Sequence, residues 1–369
     1  MMIPLFKVFM SQDVIEHIAP VINSGFIGEG PKNVLFENEL KRTLDYQNVL
    51  TLNSGTSALH LAYHLAINHD RDAEIITPSM TCSATNVPIV ANGARIVWAD
   101  IDPISGNIDP NHLESLITKK TKAITVVHWG GNPADLDKIN QIAHKYNIKV
   151  IEDAAHAIGA TYKGKKIGCH SDYIAFSFQA IKHLTTIDGG ALAIRLNDDF
   201  KRAKLLRWFG IDRNASSKHD LRCEIDVKEA GYKFHMNDVN ASVGLSNIKF
   251  LDDLIAKHRI NAQYFDLEFS GYQGKIKLAN QTANSKSSYW LYTIHVDNRD
   301  ELMARLSQEG IMSSKVHSPN HRHTMFANFN RHLPATDIFE KTHLCIPVGW
   351  WLTEDDRQKI VEKVIRYAK

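Results

Sequence analysis

Between about residues 48 and 195 the chain alternates seven short β-branched or aliphatic runs with amphipathic stretches, and that alternation admits few folds. Strands that take turns with helices are the units of a mostly parallel sheet covered on both faces. The expected strands are 48–52, 74–77, 95–101, 122–128, 148–153, 173–178 and 190–195. Helix patterns fall between them, as at 57–66 and 134–146, the latter opening with Asp135 and Asp137, acids suited to a helix N-terminus. In open α/β sheets ligands settle beyond the carboxyl ends of the strands. Asn53-Ser54-Gly55-Thr56, Thr77-Pro78-Ser79, His128-Trp129 and Asp153 all fall at such ends, so one pocket can collect them.

Beyond this region a helical stretch at 200–209 leads into the polar segment 212–226, which reads as an exposed excursion, and then into Gly231-Tyr232-Lys233-Phe234-His235-Met236-Asn237. The pattern is helical again from Asn237 to about Ile260. A strand-like run at 289–296, a helix pattern at 300–309 and a C-terminal helix from Thr353 complete a smaller α+β unit. A chain of 369 residues exceeds what one core usually supports. The expected division is a large domain over 1–245 and a small one over 246–369.

A net charge of +2 gives no global field for nucleic acid or an anionic membrane, so any anion site has to be local. The four cysteines, Cys82, Cys169, Cys223 and Cys345, are far apart and form no Cys-x-x-Cys pair, as in a reducing compartment. Pro4, Lys7 and Asp13 interrupt the first apolar stretch, and no run approaches the roughly 20 residues needed to cross a bilayer. A cytoplasmic enzyme is expected. Gly28-Glu29-Gly30 is not a dinucleotide fingerprint, because Asn33 stands where the third glycine belongs, and no phosphate loop ending in Gly-Lys-Ser/Thr occurs. His317, His321 and His323 have no companion acid cluster, so no metal is expected there.

Three segments carry chemistry. Asn53-Ser54-Gly55-Thr56-Ser57 follows a strand and opens a helix, where Gly55 lets backbone N–H groups approach an anion that the helix dipole favours; a plain Ser/Thr cap explains the same residues. Asp153 ends the run Val150-Ile151-Glu152-Asp153, leaving its carboxylate at the sheet edge, where it can pair with a cofactor; His156, three residues on, can stack or hydrogen-bond near that cofactor's ring oxygen, and a satisfied core histidine is the alternative. Lys182 follows the apolar run 173–178, where partial desolvation lowers an amine's pKa, and precedes Gly189-Gly190. An amine able to form a Schiff base and an acid able to hold a pyridinium are what pyridoxal phosphate chemistry requires.

At these residues the chain resembles the DegT/DnrJ/EryC1/StrS family of sugar aminotransferases. The likeness runs through Ser24–Pro31, Asn53–Leu59, Thr77–Thr81, Glu152–His156, Ser177–Gly190, Gly231–Asn237 and Leu344–Thr353. It implies the fold-type I architecture of pyridoxal-phosphate enzymes, with Lys182 as the Schiff-base lysine, Asp153 on the pyridine nitrogen, and Thr56, Ser57 and Ser177 on the phosphate. It also implies a homodimer in which the segment around Lys233 reaches the neighbour's site, with Lys233 where many members have Asn. Cys82 stands where relatives often place an aromatic ring against the cofactor. The dehydratase branch replaces the lysine with histidine; this chain keeps Lys182, which favours transamination. The implied reaction moves an amino group from L-glutamate to carbon 3 or 4 of a nucleotide-diphosphate-linked keto-deoxy sugar. Arg207, Trp208, Arg213, His317, Arg322 and Trp350 are wall candidates by position and chemistry. Rival readings are a transaminase of a small phosphorylated ketone or free keto-sugar acid, and a non-catalytic regulator.

Overall fold

The computed structural model describes residues 2–213 and 226–369. Most of the excursion expected at 212–226, Cys223 included, lies outside the described residues. The large sheet has seven strands in the order Val49–Leu52, Gly190–Ile194, Tyr173–Ser177, Lys149–Asp153, Thr121–Val127, Glu74–Pro78 and Arg95–Ala99. All seven expected strands are present to within two residues at either end. Six run in one direction, and Gly190–Ile194 is antiparallel to both its neighbours. Its reversal brings Gly190 to the edge where the other strands finish, opposite both Leu52 and Ser177.

Alternate residues of each strand feed two cores, because successive side chains point to opposite faces. Ile76, Ile124, Val150, Ile174 and Phe176 enter one; Ile75, Ala123, Ile151, Tyr173 and Ala175 enter the other. Both sets are buried. That two-sided burial is why the strands read as continuous apolar runs. The second core also takes the inward face of the helix Gly55–Ile67, capped by Ser54 at its start and by Asn68 in the left-handed region at its end.

A second sheet, antiparallel throughout, joins Lys277–Leu278, Tyr292–His295 and His343–Ile346. Its core is built with the helices Arg299–Gln308 and Glu354–Tyr367, the latter opened by a Thr353/Asp356 capping box. The helix Leu251–Phe269 belongs to both units: Leu251 and Ile255 pack in the large-sheet core, Ala262, Phe265 and Phe269 in the small one.

Three boundaries differ from expectation. The helix expected at 200–209 is Asn197–Leu206, since Phe209 takes a φ of 56° that no helix continues through. The helical stretch expected to about 260 is Asp238–Asn247, a single tight turn, then Leu251–Phe269. The break falls at Asn247, whose side chain accepts from the Ser11 N–H and donates to the Thr185 carbonyl. The strand at 289–296 shortens to Tyr292–His295, because Tyr289 sits at φ 50°. Among the described residues no helix is long and apolar enough to cross a membrane.

Candidate active site

The ends of the large-sheet strands surround a cavity of about 520 Å³. Ser54, Gly55 and Thr56 line it from the helix N-terminus, Asp153, Ala155 and His156 from the strand Lys149–Asp153, and Ser177 and Lys182 from the turn after Tyr173–Ser177. Trp290, Ser314, Val316 and His317 close it from the small unit, and Phe6 from the N-terminal segment.

The helix start is packed around two glycines. A Cβ on Gly55 would lie 2.8 Å from the Ser177 Cβ, and one on Gly190 would lie 2.5 Å from the Gly55 nitrogen. With no Cβ at either place, backbone amides and the Thr56 and Ser177 hydroxyls are left open to an anion at the positive end of a thirteen-residue helix. Ser57 is differently employed. Its N–H donates to Ser54 Oγ at 3.0 Å and its hydroxyl to Asn53 Oδ1 at 2.7 Å, so it secures the turn and does not line the cavity.

Asp153 is 6% exposed. Thr85 Oγ1 donates to its Oδ2 at 2.7 Å and the Ala155 N–H to its Oδ1 at 3.1 Å. Thr85 is held in turn, its hydroxyl 2.8 Å from that of Thr81 and its carbonyl accepting from Tyr63. Among the described residues Asp153 is in no salt bridge, an arrangement that suits a cationic ring nitrogen as its partner. His156 beside it is buried with Nδ1 unpaired, and burial, then the Lys182 amine, hold its pKa well below the ordinary range. A neutral imidazole is left facing the cavity.

Lys182 is anchored by its N–H on the Gln179 carbonyl at 2.9 Å. Burial pushes its amine down to about 8, against the pull of Asp153 and then of Cys82. Its Nζ lies 3.6 Å from the centre of the Trp290 ring. Cys82 also lines the cavity. His317 does too, with Nε2 buried and unpaired; burial, then Lys182, push its pKa to about 3. Three residues in the left-handed backbone region lie in or beside this wall: Ile187 at φ 71°, Tyr289 at 50° and Val316 at 63°. For β-branched or bulky residues that conformation is costly, and such strain gathers at functional sites.

The other wall candidates lie elsewhere in this chain. Arg207 is 7% exposed and donates to Glu37 and Thr51 and to Glu29, a structural knot between the helix Pro31–Leu44 and the strand Val49–Leu52. Trp208 packs against Lys233 and Arg213, whose cations lie 3.8 and 4.7 Å from its ring, and against His235. The exposed Lys233 is thus outside the Lys182 cavity. Arg322 pairs with Asp337 and Glu340, and Trp350 packs on Phe9 under Lys7. His321 is 2.7 Å from Ser79 Oγ, and His323 is exposed. Sequence reasoning missed Thr85, Trp290 and Phe6. Only the tertiary fold brings them in, although an uncharged hydroxyl in Ser-Ala-Thr-Asn after a strand end was a usable sign for Thr85.

A buried, weakly basic lysine, a carboxylate awaiting a cation and an anion cradle at a helix start, all on one sheet edge, define a fold-type I pyridoxal-phosphate-dependent transaminase. Residues 9–365 match the DegT/DnrJ/EryC1/StrS aminotransferase family, and the chain belongs to it. It is 31% identical over 375 residues to the spore coat polysaccharide biosynthesis protein SpsC of Bacillus subtilis (strain 168), covering 98% of this chain and 96% of that one. The sugar aminotransferase CalS13 from Micromonospora echinospora is 37% identical with a TM-score of 0.95, over 99% of this chain and 100% of that one. PseC of Helicobacter pylori, an aminotransferase involved in the biosynthesis of pseudoaminic acid, is 26% identical with a TM-score of 0.92, over 100% and 99%. The chain is a sugar aminotransferase that works with pyridoxal phosphate.

Proposed function

We propose that the protein moves the amino group of L-glutamate to carbon 3 or 4 of a nucleotide-diphosphate-linked keto-deoxy sugar, in amino-sugar and surface-glycan biosynthesis, as a homodimer with shared sites. The observation that carries the reading is the amine of Lys182, lowered to about 8 in the same cavity as Asp153. When bound, pyridoxal phosphate supplies an electron sink for the carbon that loses its proton. Gly55, Thr56 and Ser177 would hold its phosphate, Asp153 its ring nitrogen and Lys182 its aldehyde carbon.

Lys182, once free, takes the proton from the donor's α-carbon and returns one in the second half-reaction. It is neutral in about a tenth of molecules at pH 7 with a pKa near 8, against well under a thousandth at an ordinary lysine value, so burial, even against the pull of Asp153 and Cys82, raises the supply of base about a hundredfold. Thr85 and the Ala155 N–H each hold one oxygen of Asp153, so the carboxylate is aimed into the cavity. The buried, neutral His156 and His317 add hydrogen-bonding groups without adding charge, which suits a polyol. Lys233 and Trp208, outside this chain's cavity, are the groups we assign to the neighbour's site. The small phosphorylated ketone remains an arm of the test.

The experiment is to add glutamate to the loaded protein, follow loss of the aldehyde-form spectrum, and then screen GDP-, UDP- and dTDP-linked keto sugars for its return. Restoration by a nucleotide sugar is the expected result; restoration only by a small phosphorylated ketone would overturn the substrate reading. Lys182→Ala should abolish both turnover and the protein-bound cofactor absorbance.

A further inference from the structure

Trp290 is 5% exposed and stands in an aromatic column, stacked on His156 with centroids 3.9 Å apart and on Phe6 at 4.8 Å. It touches the lysine segment twice. Its indole N–H donates to the Ile181 carbonyl at 2.9 Å, fixing the backbone one residue before Lys182, and its ring lies 3.6 Å below the Lys182 Nζ. Its own starting point is braced. Tyr289, left-handed at φ 50°, donates its N–H to Ser287 Oγ at 3.0 Å, and its carbonyl accepts from His258 Nδ1 at 2.8 Å. His258 in turn packs at 4.6 Å against His183, the residue after Lys182. Both sides of the lysine are therefore tied, directly or through one histidine, to the Ser287–Trp290 segment.

We propose that Trp290 is a positioning residue of the transamination: its indole anchors the Ile181 backbone and receives the free amine of Lys182 on its ring face. The amine then comes to rest at one place beside His156 each time it leaves the cofactor, and does not range through a cavity of about 520 Å³. This rests on Lys182 being the Schiff-base residue. The charged and titratable groups around the amine are Asp153, Cys82, His156, His183 and His317. Among the described residues, Trp290 is the ring over whose face the Lys182 amine lies. An aromatic face in a desolvated site favours the ammonium over the neutral amine by roughly one pH unit or more. A Trp that merely filled space would act the opposite way, since its removal admits water and lets the amine drift up toward an ordinary lysine value.

The test uses the apo protein, so that no turnover is involved. The rate of acetic anhydride labelling of Lys182, read by peptide mass mapping across pH, gives the amine's midpoint, and circular dichroism checks the fold. Wild type supplies the reference midpoint, which burial should hold below an ordinary lysine value. Trp290→Leu should titrate about one pH unit lower, and Trp290→Phe, which keeps a weaker face and loses the N–H, should fall between. Midpoints that stay put or rise in the folded variants would overturn the proposal; if the Leu variant does not fold, the Phe variant decides. Failure of the Lys182 assignment is separable, because borohydride reduction of loaded wild type would then mark a different peptide.

Discussion

Gly190→Ala tests the cradle directly. Gly190 faces Leu52 and Ser177 across the sheet, and a Cβ there would stand 2.5 Å from the Gly55 nitrogen and from the Ser54 carbonyl carbon and oxygen. These are backbone atoms, so no side chain can swing aside. Restoring ordinary contact requires the helix start to retreat by roughly 1 Å, and overpacking of this kind costs about 1–3 kcal/mol. The same retreat takes Gly55 and Thr56 out of hydrogen-bonding range of a phosphate. Losing one hydrogen bond to a charged group costs about 1.5–3 kcal/mol, or roughly 10- to 150-fold in affinity. We expect apo Gly190→Ala to unfold a few degrees earlier and to bind pyridoxal phosphate 10- to 150-fold more weakly in a fluorescence titration. Gly271→Ala, whose Cβ would meet nothing within 4 Å, is the control. Wild-type affinity together with unchanged unfolding in Gly190→Ala would refute the packing argument.

Arg207→Met leaves Glu37 without its buried cation and Glu29 with only the half-exposed Arg213, so it should cost about 3 kcal/mol in urea unfolding; intact stability with a raised sugar KM would instead put Arg207 in substrate binding. Glu229 is held down to about 2 from an ordinary 4.5, first by Arg202, then, after an opposing burial effect, by His64. A depressed carboxylate adds stability that is complete above its unfolded value and lost as pH falls through the folded one. Wild type should therefore weaken between about pH 4.5 and 2 relative to Glu229→Gln, and parallel acid-unfolding curves for the two would contradict this.

The strand pattern was legible because both sheet faces are covered: Val150 and Ile151 enter opposite cores, and each needs an apolar side chain. Strand direction was not. Gly190–Ile194 is as apolar as its neighbours, and its reversal depends on the turn around Thr186 to Gly189. Asp153, Gly55 and Lys182 were visible because each sits at a strand end or in a glycine-flanked turn, where local sequence reports local geometry. The partners of Arg207 were hidden for the opposite reason. A cation after a helix looks alike whether it meets ligand or acid, and its acids are 170 and 178 positions away. Trp290 shares that difficulty, since a tryptophan beside a short strand reads as core until Lys182, 108 positions earlier, is placed over it.

The helix Leu251–Phe269 is a single rod rooted in two cores. Swinging one sheet against the other would require that rod to bend or to tear one set of its anchors from oil-like surroundings, so a hinge between the sheets is obstructed. Adjustment of the site is then confined to short-range changes at its rim, where Val316, in the left-handed backbone region, and His317 line the cavity.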